Sequence, residues 1–499
     1  MSGIRRASAL LLALCACGEG STAAAPVKPV ASVEALRDPE TCKGCHAEHY
    51  AEWQGSMHAY AATDPVFIAM NERGQKETGG QLGDFCVKCH APMALELGLT
   101  TDGLNLPDLT DPNARGVTCY FCHDVSAVEG DHNRALVLAH DTTMRGGLGA
   151  GKGAADARNA ATAVANAAHR SKYSPLHDGS SRDSAALCGA CHDIVNTAGV
   201  ALERTYAEWR SSGLGEHGAS LQTCSQCHMD GYAGHAAAQA PERALHRHMW
   251  PGVDIAIEKK FPDVDAQTAA IACKLAGAIE LALAPSQGAA FDAFDVTLTN
   301  ARVGHAWPSG ATQDRRAWVE LVAYDADDNV IFQRGVVANG EVVGDAEPEL
   351  EVLRDRLYDE DAMPVHMFWR AAPSDAHPLG YESDLLPPPT LDGAPATRTF
   401  SYSLPAPATR VTARLLIQSI GLDVLDDFQG VDLPITQRLL NNGYQDSQLR
   451  SHIPTITVPG TERELRLGAD GPTETANTAS STTGDTCRNQ GYVSLLAAD

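Results

Sequence analysis

The pattern Cys-x-x-Cys-His occurs five times in the amino-terminal half of this chain, and no other feature restricts its fold so tightly. The copies are Cys42/Cys45/His46, Cys86/Cys89/His90, Cys119/Cys122/His123, Cys188/Cys191/His192 and Cys224/Cys227/His228. Random shuffling at the chain's Cys and His frequencies yields roughly 0.01 to 0.02 copies, so the recurrence carries information. Two thiols three positions apart can each add to a vinyl group of one porphyrin, and the residue that follows then lies beneath the iron. Histidine there supplies a proximal axial bond, and the ligand on the opposite face sets potential and reactivity. The spacing therefore predicts five haem c groups, thioether-linked through the ten cysteines, with iron held by His46, His90, His123, His192 and His228. Two other readings compete. A zinc ribbon uses paired cysteines but has no need of an adjoining histidine five times over. A thioredoxin-like redox pair occurs once per domain, on a βαβ frame that this pattern lacks.

The motifs and their surroundings, from Cys42 to His248, occupy roughly 200 residues, or about 40 for each porphyrin, which is little polypeptide for a conventional core. Residues 41–285 should therefore form a mainly α and coil domain, with short helices and long loops wrapped around apolar cofactors. A short internal repeat supports this: Tyr50-Ala-Glu-Trp53-Gln-Gly-Ser56 returns as Tyr206-Ala-Glu-Trp209-Arg-Ser-Ser212. Beyond residue 285 the period changes to alternation. Ala317–Tyr324 and Val330–Val337 flank the turn Asp325–Asn329 and read as a hairpin, with further strands at Phe294–Thr299, Thr397–Leu404 and Val411–Gln418. The expected class is α + β, with a β-sandwich over residues 286–460 and a disordered Thr/Ser/Gly-rich tail over 461–499.

At the amino terminus, Arg5 and Arg6 precede an apolar run from Ala9 to Ala16, the pattern of an export signal over residues 1–17. Leu14-Cys15-Ala16-Cys17-Gly18 resembles a bacterial lipobox with Cys17 as the lipidated residue; ordinary cleavage near Ala23–Ala25 is the alternative. A flexible tether follows over residues 18–40. Both cleavage readings send the protein out of the cytoplasm, to the periplasm or the outer membrane, with membrane association through the lipid alone. The formal charge of −25 argues against nucleic acid as a partner and favours redox proteins with a basic docking surface.

Ten further histidines lie among the motifs: His49, His58, His132, His140, His169, His177, His217, His235, His246 and His248. Spacing does not select the distal ligands from this set. The segments Trp53-x-x-Ser56-x-His58-Ala59, Gly116-Val-Thr-Cys119, Gly130-Asp-His132 and Leu187-Cys-Gly-Ala-Cys-His192 resemble the multihaem c cytochromes related to the tetrahaem protein that takes electrons from hydroxylamine oxidoreductase. That resemblance covers residues 40 to 250. It implies that His58 serves the iron of His123, that His132 reaches back to the iron of His46, and that His177 serves that of His192. It also implies that the iron of His90 is open on one side. The fifth motif has no counterpart in the tetrahaem pattern, and His246 and His248 are its equal candidates.

A second resemblance, Gly304-His305-Ala-Trp-Pro308-Ser-Gly310 with Arg315-Arg316-Ala-Trp-Val, is to a segment of larger multihaem cytochromes with a β-rich tail domain. It implies that His305 ligates the second or the fifth haem; as a bare sequence, the segment reads equally as a turn packed on Trp307. Cys273 and Cys487 stand outside every motif and are either a disulfide or two thiols. The expected function is electron transfer between redox partners. The alternative is an oxidoreductase acting on a small nitrogen or sulfur compound at one five-coordinate haem.

Overall fold

A computed structural model describes residues 31–100, 114, 116–147, 164–165, 168–237, 240–257, 261–262, 264–287, 290–338, 341–342, 350–421, 423–424, 453–468, 471–476 and 487. The expected export signal with Cys17, and most of the expected tether, lie outside the described residues. The chain contains both helices and strands, the helices concentrated before residue 276 and the long strands after it.

In the amino-terminal part the helices are short and capped locally. We label seven of them α1 (Ala47–Gln54), α2 (Pro65–Glu77), α3 (Cys119–Asp124), α4 (Ser184–Gly189), α5 (Thr205–Arg210), α6 (Cys224–His228) and α7 (Val264–Leu275). Only α2 and α7 exceed three turns. Asp64 starts α2 by accepting from the Val66 N–H, with Pro65 at the first position, where its missing donor costs nothing. Helices α3 and α6 begin at Thr118 and Thr223, whose hydroxyls accept from the Phe121 and Gln226 amides; Gln226 completes a capping box. The expected tether is folded from residue 33, where the short helix Val33–Arg37 buries Leu36 against Met93, Tyr120 and Phe121.

The Tyr-Ala-Glu-Trp repeat corresponds to α1 and α5, and both copies bind in the same way. Each tryptophan is buried, and each indole N–H donates at 2.8 Å to a carbonyl two residues before a motif, Trp53 to Val117 and Trp209 to Gln222. The serine three residues on bonds back to the tryptophan carbonyl, at 2.7 Å for Ser56 and 3.0 Å for Ser212. The repeat is thus a docking device that fixes the approach to the third and fifth motifs.

The carboxyl-terminal part is antiparallel β. The strands of its two main sheets are β1 (Glu280–Pro285), β2 (Ala293–Asn300), β3 (Arg316–Tyr324), β4 (Val330–Arg334), β5 (Ala396–Ser403), β6 (Arg410–Gln418), β7 (Arg463–Gly468) and β8 (Gly471–Ala476). One sheet has the order β1-β2-β5; the other runs β4-β3-β6-β7-β8, with Ile456–Thr457 also on β6. Strand β2 alternates buried and half-buried residues along its length, with Phe294 opposite Tyr402 and Val296 opposite Phe400. Leu281, Val296 and Phe400 from the first sheet share one core with Val319, Leu321, Val411 and Leu415 from the second, and Ile271 and Leu275 of α7 join it.

The tail departs from expectation at its start. Instead of disorder from residue 461, β7 and β8 form a hairpin on β6, because Arg463-Glu-Leu-Arg-Leu keeps the period-two pattern despite its charge. Cys487 closes a disulfide with Cys273 on α7. No helix among the described residues is long and apolar enough to cross a membrane.

Several contacts tie the two parts together. Asn196 donates to the carbonyls of Phe368 and Ala371, Arg204 pairs with Asp355 at 2.9 Å, and Arg315 meets Asp254 through two bonds of 3.1 and 2.8 Å.

Candidate functional site

Each motif is a single helical turn. His46, His90 and His192 donate their backbone N–H to the carbonyls of Cys42, Cys86 and Cys188, and α3 and α6 contain the third and fifth motifs whole. Residues three and four apart share a helix face, so the turn sets two sulfurs and an imidazole on one side. Among the described residues, no three His, Cys, Asp or Glu side chains gather as a metal cluster, so the thiols do not form the tetrahedral site that a zinc ribbon needs.

The ten motif cysteines are not equivalent, as the bare repetition of the pattern suggests. Cys45 is exposed, whereas the other nine are half-buried, Cys42 of the same motif among them. The cause is local. The turn Glu40–Lys43 that precedes Cys45 buries none of its residues, and a Cβ built on the adjoining Gly44 would meet nothing within 4 Å. A thioether at Cys45 would therefore lie at the solvent edge of the first site.

Four of the five motif histidines face a second histidine at nearly the same spacing. Ring centroids are 6.3 Å apart for His46 and His169, 6.2 Å for His58 and His192, 6.4 Å for His123 and His248, and 6.3 Å for His228 and His305. With metal–nitrogen bonds of about 2 Å and ring radii of about 1.1 Å, two imidazoles on opposite sides of one metal put their centroids roughly 6.2 Å apart. Direct ring stacking would bring them closer. The pairs thus fit a metal held axially between two imidazoles.

Hydrogen bonding prepares the same atom in nearly every ring. Nδ1 meets a backbone carbonyl in His46 (Ala236), His123 (Arg145), His228 (Pro251), His169 (Arg170), His248 (His246) and His305 (Ala306). With Nδ1–H donating, Nε2 keeps its lone pair, the tautomer that a metal requires. The His58–His192 pair stands outside this set, and the buried Nδ1 of His58 has no partner. Burial disfavours the protonated form of three of these imidazoles, pushing His58 down to about 3 and His228 and His90 to about 4, so these rings are neutral near pH 7. His90 and His192 keep accessible ring surface even though the protein around them suppresses protonation, so space remains beside them for a flat group.

The placements differ from those the resemblance implied, except that the fifth motif is one of the two it offered for His305. His58 lies against His192, not His123, and is tilted to it by 47°. Its carbonyl accepts from Val117 N–H at 2.9 Å, and a Cβ on Gly116 would sit 2.0 Å from that same oxygen, so the chain entering the third motif fixes His58 by backbone contact. His132 is exposed beside Asp131 and away from His46. His177 stands 5.5 Å from His123, not beside His192, and its Nε2 bonds the Cys122 carbonyl at 2.7 Å. His248 belongs with His123, and His246 bonds the Met229 carbonyl; neither faces His228. His49 also lies 6.3 Å from His46, but it is three residues away on the same turn, where it cannot reach the opposite side of one metal. His169 is one of the ten histidines among the motifs, and sequence reasoning did not single it out because no local motif marks it.

His305 reaches His228 from the β part of the chain. Buried Asn300, the last residue of β2, donates to the carbonyls of His305 at 3.2 Å and Pro387 at 3.0 Å and accepts from Val303 N–H at 2.9 Å. From the other side, Glu208 of α5 accepts from Ala306 N–H at 3.0 Å. At the second motif, His90 is flanked by Phe67 of α2, stacked at 4.4 Å and nearly parallel, and among the described residues no imidazole stands at metal-sharing distance from it.

The family described as Cytochrome c554 and c-prime matches residues 41–124. No curated protein matches the chain. Among solved structures, a penta-heme cytochrome c552 from Thermochromatium tepidum is similar, with 19% identity and a TM-score of 0.51, covering 87% of this chain and 98% of that one. These findings support a multihaem c-type cytochrome, and the structural match shows a shared fold.

Proposed function

We propose that this chain is an exported pentahaem c-type cytochrome that passes electrons between protein partners. The observation that carries the reading is the set of four imidazole pairs at 6.2–6.4 Å, each containing one motif histidine. His169, His248, His58 and His305 are the distal ligands, opposite His46, His123, His192 and His228 respectively. Bound haem supplies a one-electron ferric/ferrous couple. The protein's part is to offer two imidazoles at four of the five motifs, which would leave no position for substrate there, and to hold six of those eight rings through Nδ1 so that little rearranges when the charge changes. The two sheets act as a β-sandwich that delivers His305 and spaces the motifs. The disulfide between Cys273 and Cys487 suits an oxidising compartment and supports export, and the charge of −25 supports a basic partner surface.

A second reading rests on His90. With no imidazole opposite it among the described residues, this site could accept a small nitrogen or sulfur compound, which would make the protein an oxidoreductase. Carbon monoxide binding to the reduced protein tests the choice. An electron carrier binds none or one weakly at the second motif and turns over no substrate. Turnover of such a compound, abolished by altering residues around His90, would establish the enzyme.

A further inference from the structure

The segment His248–Pro251 touches three of the candidate sites within four residues. His248 faces His123 of the third motif at 6.4 Å, with its Nδ1 on the His246 carbonyl. The Pro251 carbonyl accepts from Nδ1 of His228 in the fifth motif at 2.9 Å. Between these two, the Trp250 ring lies 4.6 Å from His58, the partner of His192 in the fourth motif, and 5.2 Å from His248 in an edge contact. One indole therefore meets imidazoles assigned to two different irons.

Two observations show that this placement is imposed by the surroundings. Trp250 has a φ of +47°, where a bulky residue is rarely found, and it precedes a proline, which normally keeps the residue before it extended. Strain of this kind persists only where neighbouring contacts dictate it, and it collects at functional sites. The anchors are present. Glu52 of α1 accepts from the His248 N–H at 2.8 Å and from the Arg247 guanidinium at 2.6 Å, the Arg247 N–H donates to the Asp230 carbonyl at 2.9 Å, and Met249 and Pro251 are buried. The second observation is at His58. Nδ1 hydrogen bonding fixes six of the eight paired rings, but the buried Nδ1 of His58 has no partner, so packing has to hold its ring, and Trp250 supplies the contact.

We propose that Trp250 is a positioning residue for two irons at once, its indole setting the plane of the His58 imidazole opposite His192 and that of the His248 imidazole opposite His123. The proposal rests on the pentahaem reading above and names the residue that orients two of its four distal ligands. The plane of an axial imidazole governs its overlap with the iron, and through that the electronic character of the centre. The dependence is unequal. His248 is also held by its own Nδ1 bond and by the edge of His49 at 4.6 Å, so the fourth centre relies on the indole more than the third does.

The test is paramagnetic NMR of the oxidised holoprotein, in which haem-methyl shifts follow the orientation of the axial imidazole planes. Trp250→Gly removes the ring without adding backbone strain, because glycine takes a positive φ freely. The expected result is displacement of the methyl resonances of the fourth and third centres, the fourth by more. Those of the first centre stay in place, as do those of the fifth, whose His228 keeps the Pro251 carbonyl. Trp250→Phe, which retains an aromatic ring, restores most of the wild-type pattern. Displacement at one centre only, at none, or at all four paired centres alike overturns the proposal. If Trp250→Gly does not load its cofactors, nuclear Overhauser contacts in the wild-type protein decide the question: indole protons that reach the axial imidazoles of two haems support the proposal, and contact with one or none overturns it. The wild-type protein separates the two levels. Fewer than five cofactors by intact mass, or fewer than four centres with two axial imidazoles, defeats the pentahaem reading, whereas five cofactors and four such centres that ignore Trp250 defeat this inference alone.

Discussion

His305→Ala should convert one low-spin iron to high spin and leave the fold intact. Four imidazole pairs are formed, at 6.3, 6.2, 6.4 and 6.3 Å, and His305 belongs to one of them, so the low-spin electron paramagnetic resonance intensity of the oxidised protein should fall by a quarter. The loop itself should survive. It is held by the His305 carbonyl on Asn300 and by the Ala306 N–H on Glu208, both of which remain when the imidazole is cut back. The lost ring contributes only the Nδ1 bond to Ala306 within the loop. Free imidazole added to the variant should restore the low-spin signal, which a merely structural role would not allow. Unchanged low-spin intensity would refute the reasoning and return His305 to the status of a loop residue.

Three further outcomes follow from the packing. Gly116→Ala puts a Cβ 2.0 Å from the His58 carbonyl at a φ of +51°, so it should cost more than about 2 kcal/mol in thermal unfolding and weaken the low-spin signal of the His58–His192 pair. Cys487→Ala removes a cross-link spanning 214 residues and should lower stability by about 2–5 kcal/mol in denaturant titrations without changing haem spectra; an unchanged midpoint would show that the link stabilises nothing. Asp314 is pushed up to about 6 by burial, against the pull of His366, Arg354 and Arg315, with Asp423 adding to the rise. Its folded state therefore holds a proton that the unfolded chain has released, and its share of stability, present below about pH 4, declines as pH rises through about 6. Asp314→Asn should accordingly gain on wild type by up to about 3 kcal/mol between pH 4 and pH 8, and a parallel pH profile for both proteins would count against it.

The cofactor attachment points were legible because covalent chemistry writes them locally: Cys, Cys and His within one turn. Their differing exposure was not, since the pattern is the same at all five motifs whereas only the structure shows that the turn Glu40–Lys43 beside Cys45 buries none of its residues. Strands β3, β5 and β6 were legible for a similar reason to the motifs: Arg316–Tyr324 is a short β-branched and aromatic apolar run before a turn, and period-two alternation survives in Ala396–Ser403 and in the first half of Arg410–Gln418. The same alternation in Arg463–Gly468 was masked by charged outward positions, which made a strand resemble a solvated tail. Distal ligands carry no such mark. His46 meets His169 and His123 meets His248 across more than a hundred residues of chain, and only three-dimensional packing selects them from ten similar candidates. Resemblance to a tetrahaem relative pointed His58, His132 and His177 elsewhere than the structure places them, His58 against His192, His132 exposed beside Asp131 and His177 against His123. Local rules recorded the clamps; the topology of their pairing is a global property.

The account stands on porphyrins being joined through thioethers at all five clamps. Intact-mass and pyridine haemochrome analysis of protein purified from the native host tests this most directly. The expected result is a chain heavier than its processed polypeptide by five haems, all resistant to acid–acetone extraction. A mass equal to the bare polypeptide, or zinc in place of iron at the motif cysteines, would contradict it.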